Sequence, residues 1–165
     1  MIARYLAFCD RLCTLAAGLA ATSIALVFLL GITEIAARAI FSTSLGVALE
    51  FGEYLTAASL LLGAGEALRQ GTHIRITLLA ERLAPRYARI LDLAATLAGL
   101  LVAIALAVAL MRYAFESLRL DARSYFPTAT PLWVPEGLLA LGPSVLALAF
   151  SARLVRLVRG EEAGS

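Results

Sequence analysis

The sequence predicts an all-α membrane protein with four transmembrane helices. Of its 165 residues, 61% are hydrophobic and only 16% are charged, which is far from the composition of a soluble globular domain. Residues 12–33 and 93–111 form uncharged stretches of 22 and 19 residues, close to the roughly 20 residues that a helix needs to cross a bilayer. No segment alternates apolar and polar side chains over the roughly ten residues of a membrane β-strand, so the spans are expected to be helices.

The first predicted span covers residues 12–33 and ends before Glu34. Arg38 follows one helical turn after Glu34, and this spacing predicts an ion pair between them. Small side chains recur at helical spacing in this span and again in the third. They predict close helix packing, either within the chain or against a partner. These residues are Ala16, Ala17, Ala20 and Ala21, then Ala94, Ala95, Ala98 and Gly99.

The second predicted span covers residues 47–68, and all its charges lie at its two ends. Glu50 and Glu53 occupy the first turns, where the positive end of the helix dipole favours carboxylates. Glu66 and Arg69 close the other end. This arrangement is what a membrane-spanning helix is expected to show.

Residues 72–84 are too polar to cross the membrane. Their apolar side chains share one helical face, and Arg75 and Arg82 share a neighbouring one, so a short helix lying on the cytoplasmic membrane surface is expected. The arginines of this interfacial helix are positioned to reach anionic lipid head groups. The apolar positions are Ile76, Leu79 and Leu83.

Two further spans follow. Pro85 cannot continue the interfacial helix but suits the first position of the next one, which leads into a third span over residues 90–111 and extends outward toward Arg119. The fourth predicted span covers residues 132–152, and Pro143 inside it predicts a bend. The connection before it is rich in aromatic side chains suited to the level of the lipid head groups. The whole chain, residues 1–165, is expected to form a single four-helix membrane domain.

Arginine placement predicts the orientation. With four spans, ten arginines lie on the side of both termini and four on the other side, so the positive-inside rule places both termini in the cytoplasm. The three arginines that follow the fourth span are expected to form one cytoplasmic face. The net charge of +2 gives no indication of nucleic-acid binding once the arginines are assigned to membrane flanks. The last three are Arg153, Arg156 and Arg159.

Residue types exclude most enzyme and cofactor classes. His73 is the only histidine, which excludes a bis-histidine haem, a histidine-rich zinc site and the HExxH motif. The Gly63-Ala-Gly65 segment does not match a dinucleotide-binding fingerprint. Cys9 and Cys13 share a helical face without further ligands nearby and are interpreted as free thiols. We therefore expect no catalytic residue, no cofactor and no metal.

The carboxylates near the membrane allow two interpretations. Glu50 and Glu53 share one face of the second span, and Glu136 and Arg38 could meet them at the same depth to form part of a transport path. The alternative is that they support helix ends. The only polar side chains in the middles of the spans carry hydroxyl groups, which argues against a self-sufficient transporter. Those residues are Thr22, Ser23, Ser59, Thr96 and Ser144.

His73 also has two interpretations. Gly71 is a natural helix stop, which would place His73 just beyond the second span, where it caps carbonyl groups or faces water. Alternatively, with Arg69 one turn before it, His73 makes a fixed contact at a protein interface.

Two blocks of residues resemble a known family, the DctQ-like small membrane subunits of tripartite ATP-independent periplasmic (TRAP) transporters. The first block reads Glu53, Leu62-Gly63-Ala64, Arg69, His73-Ile74 and Pro85. The second reads Thr130-Pro-Leu-Trp133-Val-Pro135-Glu136, followed by Leu141-Gly142. Departures from the family pattern occur at Thr77, where an aspartate is frequent, and at Glu136-Gly137.

The resemblance implies a function that composition alone does not show. A subunit of this kind sits in the bacterial inner membrane and scaffolds a much larger multi-span subunit, which holds the sodium and substrate sites and moves substrate by an elevator motion. A periplasmic substrate-binding protein delivers the substrate, typically an organic acid. The other hypothesis is a stand-alone homo-oligomeric transporter or channel, suggested by the three glutamates of the second span. Candidate partner-interface or structural residues are Glu50, Glu53, Gly63, Arg69, His73, Trp133 and Pro135.

Overall fold

The computed structural model describes residues 2–71 and 85–160, with only the backbone of Pro85. These residues form four helices and no strand, and each helix is long and apolar enough to cross a membrane. The helices are α1 (Ile2–Phe41), α2 (Val47–Arg69), α3 (Pro85–Arg119) and α4 (Trp133–Val158). The predicted helical membrane architecture is confirmed, whereas the predicted interfacial helix over residues 72–84 lies outside the described residues.

Two helices are much longer than a bilayer requires. At 1.5 Å per residue, the 40 residues of α1 and the 35 residues of α3 extend about 60 Å and about 52 Å, against a hydrocarbon core of about 30 Å. α1 therefore extends well beyond the predicted span 12–33 at both ends, and α3 extends beyond 90–111. Pro85 is the first residue of α3, as its fixed φ angle favours.

Each end of the bundle has its own set of chain segments. We call the end where α1 begins and α4 finishes the terminal end. The opposite end, which contains the connections over residues 42–46 and 120–132, is called the loop end.

Helix α4 lies at the centre of the fold and packs on α1, α2 and α3, while α1 also packs on α2. Small side chains form much of the contact of α1, α2 and α4: Ala16, Ala20 and Ala58 make a buried cluster with Leu62, and Leu139 and Val145 of α4 pack against it. Small residues let the helix backbones approach closely, which is the main source of helix association when lipid is the surrounding solvent. The small residues predicted in α1 are thus confirmed as packing positions at Ala16 and Ala20.

Two glycines allow α4 and α2 to touch. A Cβ atom on Gly142 would lie 2.6 Å from Leu61 Cβ and 2.8 Å from its carbonyl oxygen, so no side chain fits there. A Cβ atom on Gly65 would lie 3.1 Å from Val145 Cγ1. The helix continues through Pro143, directly after this contact.

Helix α3 packs on α4 along a narrow seam. Its buried positions are separated by seven, eleven and three residues, each close to a whole number of helical turns, so they share one face of the helix. They are Thr96, Ala103, Ala114 and Ser117. Gly99 lies on this seam under the ring of Phe150, whose Cζ atom would be 2.4 Å from an added Cβ. Ala94, Ala95 and Ala98, also predicted to pack closely, are exposed.

Much of the remaining apolar surface faces outward. Large side chains along α1 and α3, such as Leu15, Phe28 and Leu101, are more than half exposed. In a protein surrounded by lipid tails, such exposure has no hydrophobic cost, and these faces are available to lipid or to a partner.

Candidate functional site

The loop end contains a buried carboxylate. Glu50 lies in the first turn of α2 and is fully buried. Thr128 donates a hydrogen bond from Oγ1 to Glu50 Oε2, and the Tyr54 hydroxyl donates one to Oε1 at 3.2 Å. A buried carboxylate needs such donors, and the positive end of the α2 dipole adds to its stabilisation.

Thr128 is positioned by a small hairpin-like loop between α3 and α4. Ser124 N donates to Thr130 O at 2.9 Å, and Leu132 N donates to Ala122 O at 3.0 Å, so the two arms of the loop run antiparallel. The next residue, Ala129, has a φ of 47°, a left-handed conformation that is strained for a side chain with a Cβ. The loop is therefore an ordered cap over Glu50, and we call residues 120–132 the capping loop.

The other charged groups at the loop end do not join Glu50. Arg38 instead binds Glu34 through Nε at 2.7 Å, as its spacing predicted, and Ser44 and the Leu45 amide also donate to this carboxylate. Glu53 is exposed. Among the described residues, Glu50 thus meets hydroxyl groups rather than a cluster of charges.

Glu136 differs from the other carboxylates. It lies in the first turn of α4, and its Oε2 atom is buried without a hydrogen-bond partner among the described residues. Two of the candidate partner-interface or structural residues share this turn: Trp133 is 44% exposed, and Pro135 is buried. The first turn of α4 thus presents an aromatic side chain outward and directs a proline inward.

The terminal end contains a bidentate ion pair at the last turn of α2. Arg69 binds Glu66 through Nη2 at 2.5 Å and through Nε at 2.8 Å, and Gln70 donates to the same carboxylate at 2.8 Å. Arg69 also reaches Thr14 of α1 at 3.4 Å. Arg69 is therefore held by its own helix and directed toward α1. His73, the residue predicted to accompany it, lies outside the described residues.

Two more ion pairs join α4 to its neighbours at this end. Arg156 binds Asp10 of α1 at 2.8 Å, and Arg153 binds Asp92 of α3 at 2.6 Å. The side chain of Arg153 is only 12% exposed. The expectation that these arginines form one cytoplasmic face was incomplete, because both turn toward aspartates of other helices.

The pairing of these aspartates with arginines of α4 was not predicted from the sequence. Asp10 and Asp92 each flank an uncharged stretch at the same end of the bundle as the arginines. This common position was the sequence feature that could have suggested the ion pairs. Tyr5 and Ser151 add a hydrogen bond of 2.7 Å between α1 and α4. The terminal end is thus tied together by side chains from all four helices.

Gly63 has room for a side chain, whereas Gly65 has little. A Cβ atom at Gly63 would lie 3.7 Å from Ala20 Cβ, an ordinary contact, whereas the closer approaches are at Gly65, Gly99 and Gly142.

Metal-binding geometry is not found in the described ranges. No group of three or more histidine, cysteine or acidic side chains is close enough there to hold a metal ion. Cys9 and Cys13 are buried free thiols.

Comparison with protein families decides the identity. Residues 27–160 match the family model for the DctQ component of tripartite ATP-independent periplasmic transporters. The chain belongs to the DctQ family. The match includes α2, α3, α4 and the capping loop, and thus all three glutamates of α2. A search of curated proteins finds no match.

Membership of the DctQ family confirms the resemblance seen in the sequence. The chain is the small membrane component of a TRAP transporter, a class that works with a large membrane subunit and a periplasmic binding protein. DctQ proteins are transporter components. The four apolar helices agree with a multi-pass membrane protein.

Proposed function

We propose that this DctQ chain is a static scaffold that binds and holds a large, sodium-coupled multi-span subunit. The complete transporter takes up an organic acid that a periplasmic binding protein delivers. The chain lies in the bacterial inner membrane with both termini in the cytoplasm.

The observation that supports this role most directly is the state of the polar groups inside the spans. All five hydroxyl residues in the span centres donate to a carbonyl group of their own helix, at 2.7 to 2.9 Å. A hydroxyl bonded in this way belongs to the helix and does not form a relay between helices. These residues are Thr22, Ser23, Ser59, Thr96 and Ser144.

The charged groups support the same conclusion. The five ion pairs among the described residues join side chains at the two ends of the bundle, and Glu50 is satisfied by hydroxyl groups. An ion or proton path requires polar groups near the bilayer centre. A bundle fastened at both ends and apolar between them suits a scaffold.

Co-purification with the large subunit tests the proposal. The chain and the large subunit of the same transporter are co-expressed, extracted in detergent and captured through a tag on this chain. We expect the large subunit to be retained, and uptake of substrate by cells to require both proteins. Full uptake by the large subunit and binding protein without this chain would contradict the scaffold role.

Reconstitution of the purified chain alone tests the second hypothesis, a stand-alone transporter or channel. In vesicles that contain only this chain, we expect no proton, sodium or organic-acid flux above that of empty vesicles. Flux that depends on Glu50 or Glu53 would favour the stand-alone hypothesis.

Cysteine labelling tests the orientation. Tyr125 is fully exposed at the loop end, and Gln70 is exposed at the terminal end. In a background where Cys9 and Cys13 are replaced by alanine, we expect an impermeant maleimide to label Tyr125→Cys in intact spheroplasts. Gln70→Cys is expected to react only after lysis, and the reverse pattern would overturn the orientation.

A further inference from the structure

A groove of about 840 Å³ lies at the loop end, between the last turns of α3 and the first turns of α4. Its apolar lining includes the rings of Phe115 and Trp133. Its polar lining comes from three charged side chains of α3: Arg112, Glu116 and Arg119. This groove lies apart from Glu50 and from the ion pairs of the terminal end.

The three charged residues lie on one face of α3. They are separated by four and three residues, so positive, negative and positive groups follow each other along the helix. None of the ion pairs found in residues 2–71 and 85–160 includes them. Arg119 lies 6.0 Å from the centroid of the Phe115 ring. The stripe therefore presents two guanidinium groups and a carboxylate that form no ion pair with one another among the described residues.

The groove lies at the level of lipid head groups. The uncharged stretch 93–111 ends directly before Arg112, and the rise of a helix places Arg119 only about 10 Å further along the axis. The head-group layer on each side of a bilayer is about 5–8 Å thick, so Arg112 and Glu116 lie within it and Arg119 lies at its outer edge. Trp133 opens α4 beside the stripe, as tryptophan commonly does at a membrane interface.

We propose that this groove binds one phospholipid whose head group joins a phosphodiester to a primary ammonium group. Arg112 and Arg119 bind the phosphodiester oxygens, and Glu116 accepts hydrogen bonds from the ammonium group. Phe115 and Trp133 contact the glycerol and the upper acyl chains.

The order of charges explains the choice of occupant. An anionic head group without an amine would leave the Glu116 carboxylate facing negative charge, and a quaternary amine would offer it no N–H donor. The inference depends neither on the sidedness of the membrane nor on the scaffold role.

Trp133 supplies the readout, because it is the only tryptophan in the chain. The purified chain is placed in phosphatidylcholine nanodiscs that contain a small fraction of phosphatidylethanolamine with brominated acyl chains, since bromine quenches tryptophan fluorescence on contact. One retained charge-assisted hydrogen bond corresponds to about a tenfold preference. We therefore expect the labelled lipid to occupy the groove about ten times more often than its bulk fraction predicts, and tryptophan fluorescence to be quenched accordingly. Brominated phosphatidylglycerol is expected to quench less.

Three variants test the assigned contacts. The double variant Arg112→Gln and Arg119→Gln is expected to lower quenching to the level set by the bulk lipid fraction. Glu116→Gln is expected to remove the preference for phosphatidylethanolamine over phosphatidylglycerol. Arg123→Gln is the matched control, because Arg123 lies in the adjacent capping loop outside the groove, and it should retain the preference. Bulk-level quenching in the unmodified chain, or unchanged quenching in the double variant, would overturn the proposal.

A photo-crosslinking amino acid at Leu118, which lines the groove and is half exposed, distinguishes a lipid from a protein occupant. In membranes that contain the whole transporter, we expect adducts with the mass of phosphatidylethanolamine. Adducts with a transporter subunit and none with lipid would assign the groove to a protein interface and overturn the proposal.

Discussion

The Nη2 atom of Arg156 lies 2.8 Å from both carboxylate oxygens of Asp10, joining the last turns of α4 to the beginning of α1. Both side chains are partly exposed, at 24% and 33%. The pair therefore lies between the surface and the interior, and it connects two helices that are distant in sequence. Because the pair is partly buried, it stabilises the fold more than a surface ion pair does, and breaking it costs less free energy of unfolding than breaking a fully buried pair.

We predict that Arg156→Ala and Asp10→Asn each destabilise the chain by about 1–2 kcal/mol, measured by thermal or chemical unfolding in detergent. The double variant should lose less than the sum of the two, because both changes remove the same interaction. Arg123→Ala is the control, since Arg123 contacts an exposed aspartate of its own loop at 3.4 Å and should change stability by less than about 0.5 kcal/mol. Strict additivity of the two changes would contradict the assigned contact.

The contact between Thr128 and Glu50 predicts that the capping loop opens when its donor is removed. Thr128→Val keeps the shape of the side chain but withdraws a donor from a buried carboxylate, at a cost of about 1–3 kcal/mol. We expect faster hydrogen exchange at the Ser124 and Leu132 amides, which hold the loop together. Thr128→Ser should retain protection.

A matched control for this prediction lies in α2. The hydroxyl of Thr56 donates only to the Gly52 carbonyl of its own helix, at 2.7 Å. Thr56→Val should therefore leave exchange in the capping loop unchanged. Equal exchange in Thr128→Val and the unmodified chain would show that Thr128 does not hold the loop closed.

Local spacing predicted much of the fold, since each span depends on about 20 successive residues and the pair of Glu34 with Arg38 depends on one helical turn. The contact of Glu50 with Thr128 links residues 78 positions apart and depends on how the capping loop folds. Sequence reasoning identified Glu50 for its place at a helix start but gave no sign of its partner. The pairs of Asp10 and Asp92 with arginines of α4 were missed for the same reason.

The glycines show the same limit at the level of packing. Small-residue spacing predicted close packing at Gly99, and the structure confirms it, whereas Gly63, a candidate from the family pattern, makes only an ordinary contact and the other tight approaches are at Gly65 and Gly142. Which glycine faces a neighbouring backbone depends on the rotation of each helix about its axis, and short-range periodicity leaves this rotation open when apolar residues surround the helix on all sides.

We predict that Gly142→Ala is strongly destabilising. The added Cβ would lie within 2.8 Å of three atoms of Leu61, including two of the backbone, so α2 and α4 must separate. We expect a loss of about 1–3 kcal/mol, measured by thermal unfolding in detergent. Gly18→Ala is the control: nothing lies within 4 Å of its added Cβ, and alanine favours the helix by up to about 1 kcal/mol. Equal stability of the two variants would contradict the close packing of α4 on α2.

Arg69 provides the test that connects this structure to assembly. Its two nitrogen atoms bind both oxygens of Glu66, so its guanidinium group is fixed at the terminal end while its side chain remains 34% exposed. A fixed and partly exposed arginine is suited to contact a partner, because little side-chain entropy remains to be lost on binding.

We predict that Arg69→Ala reduces the amount of large subunit that co-purifies with the chain by about tenfold, the effect of losing one charge-assisted hydrogen bond. Arg69→Lys should restore only part of it, since lysine cannot form the bidentate pair. Unfolding measurements separate this role from a structural one: if Arg69→Ala loses stability in isolation as much as it loses partner, Arg69 supports the helix end and not the interface.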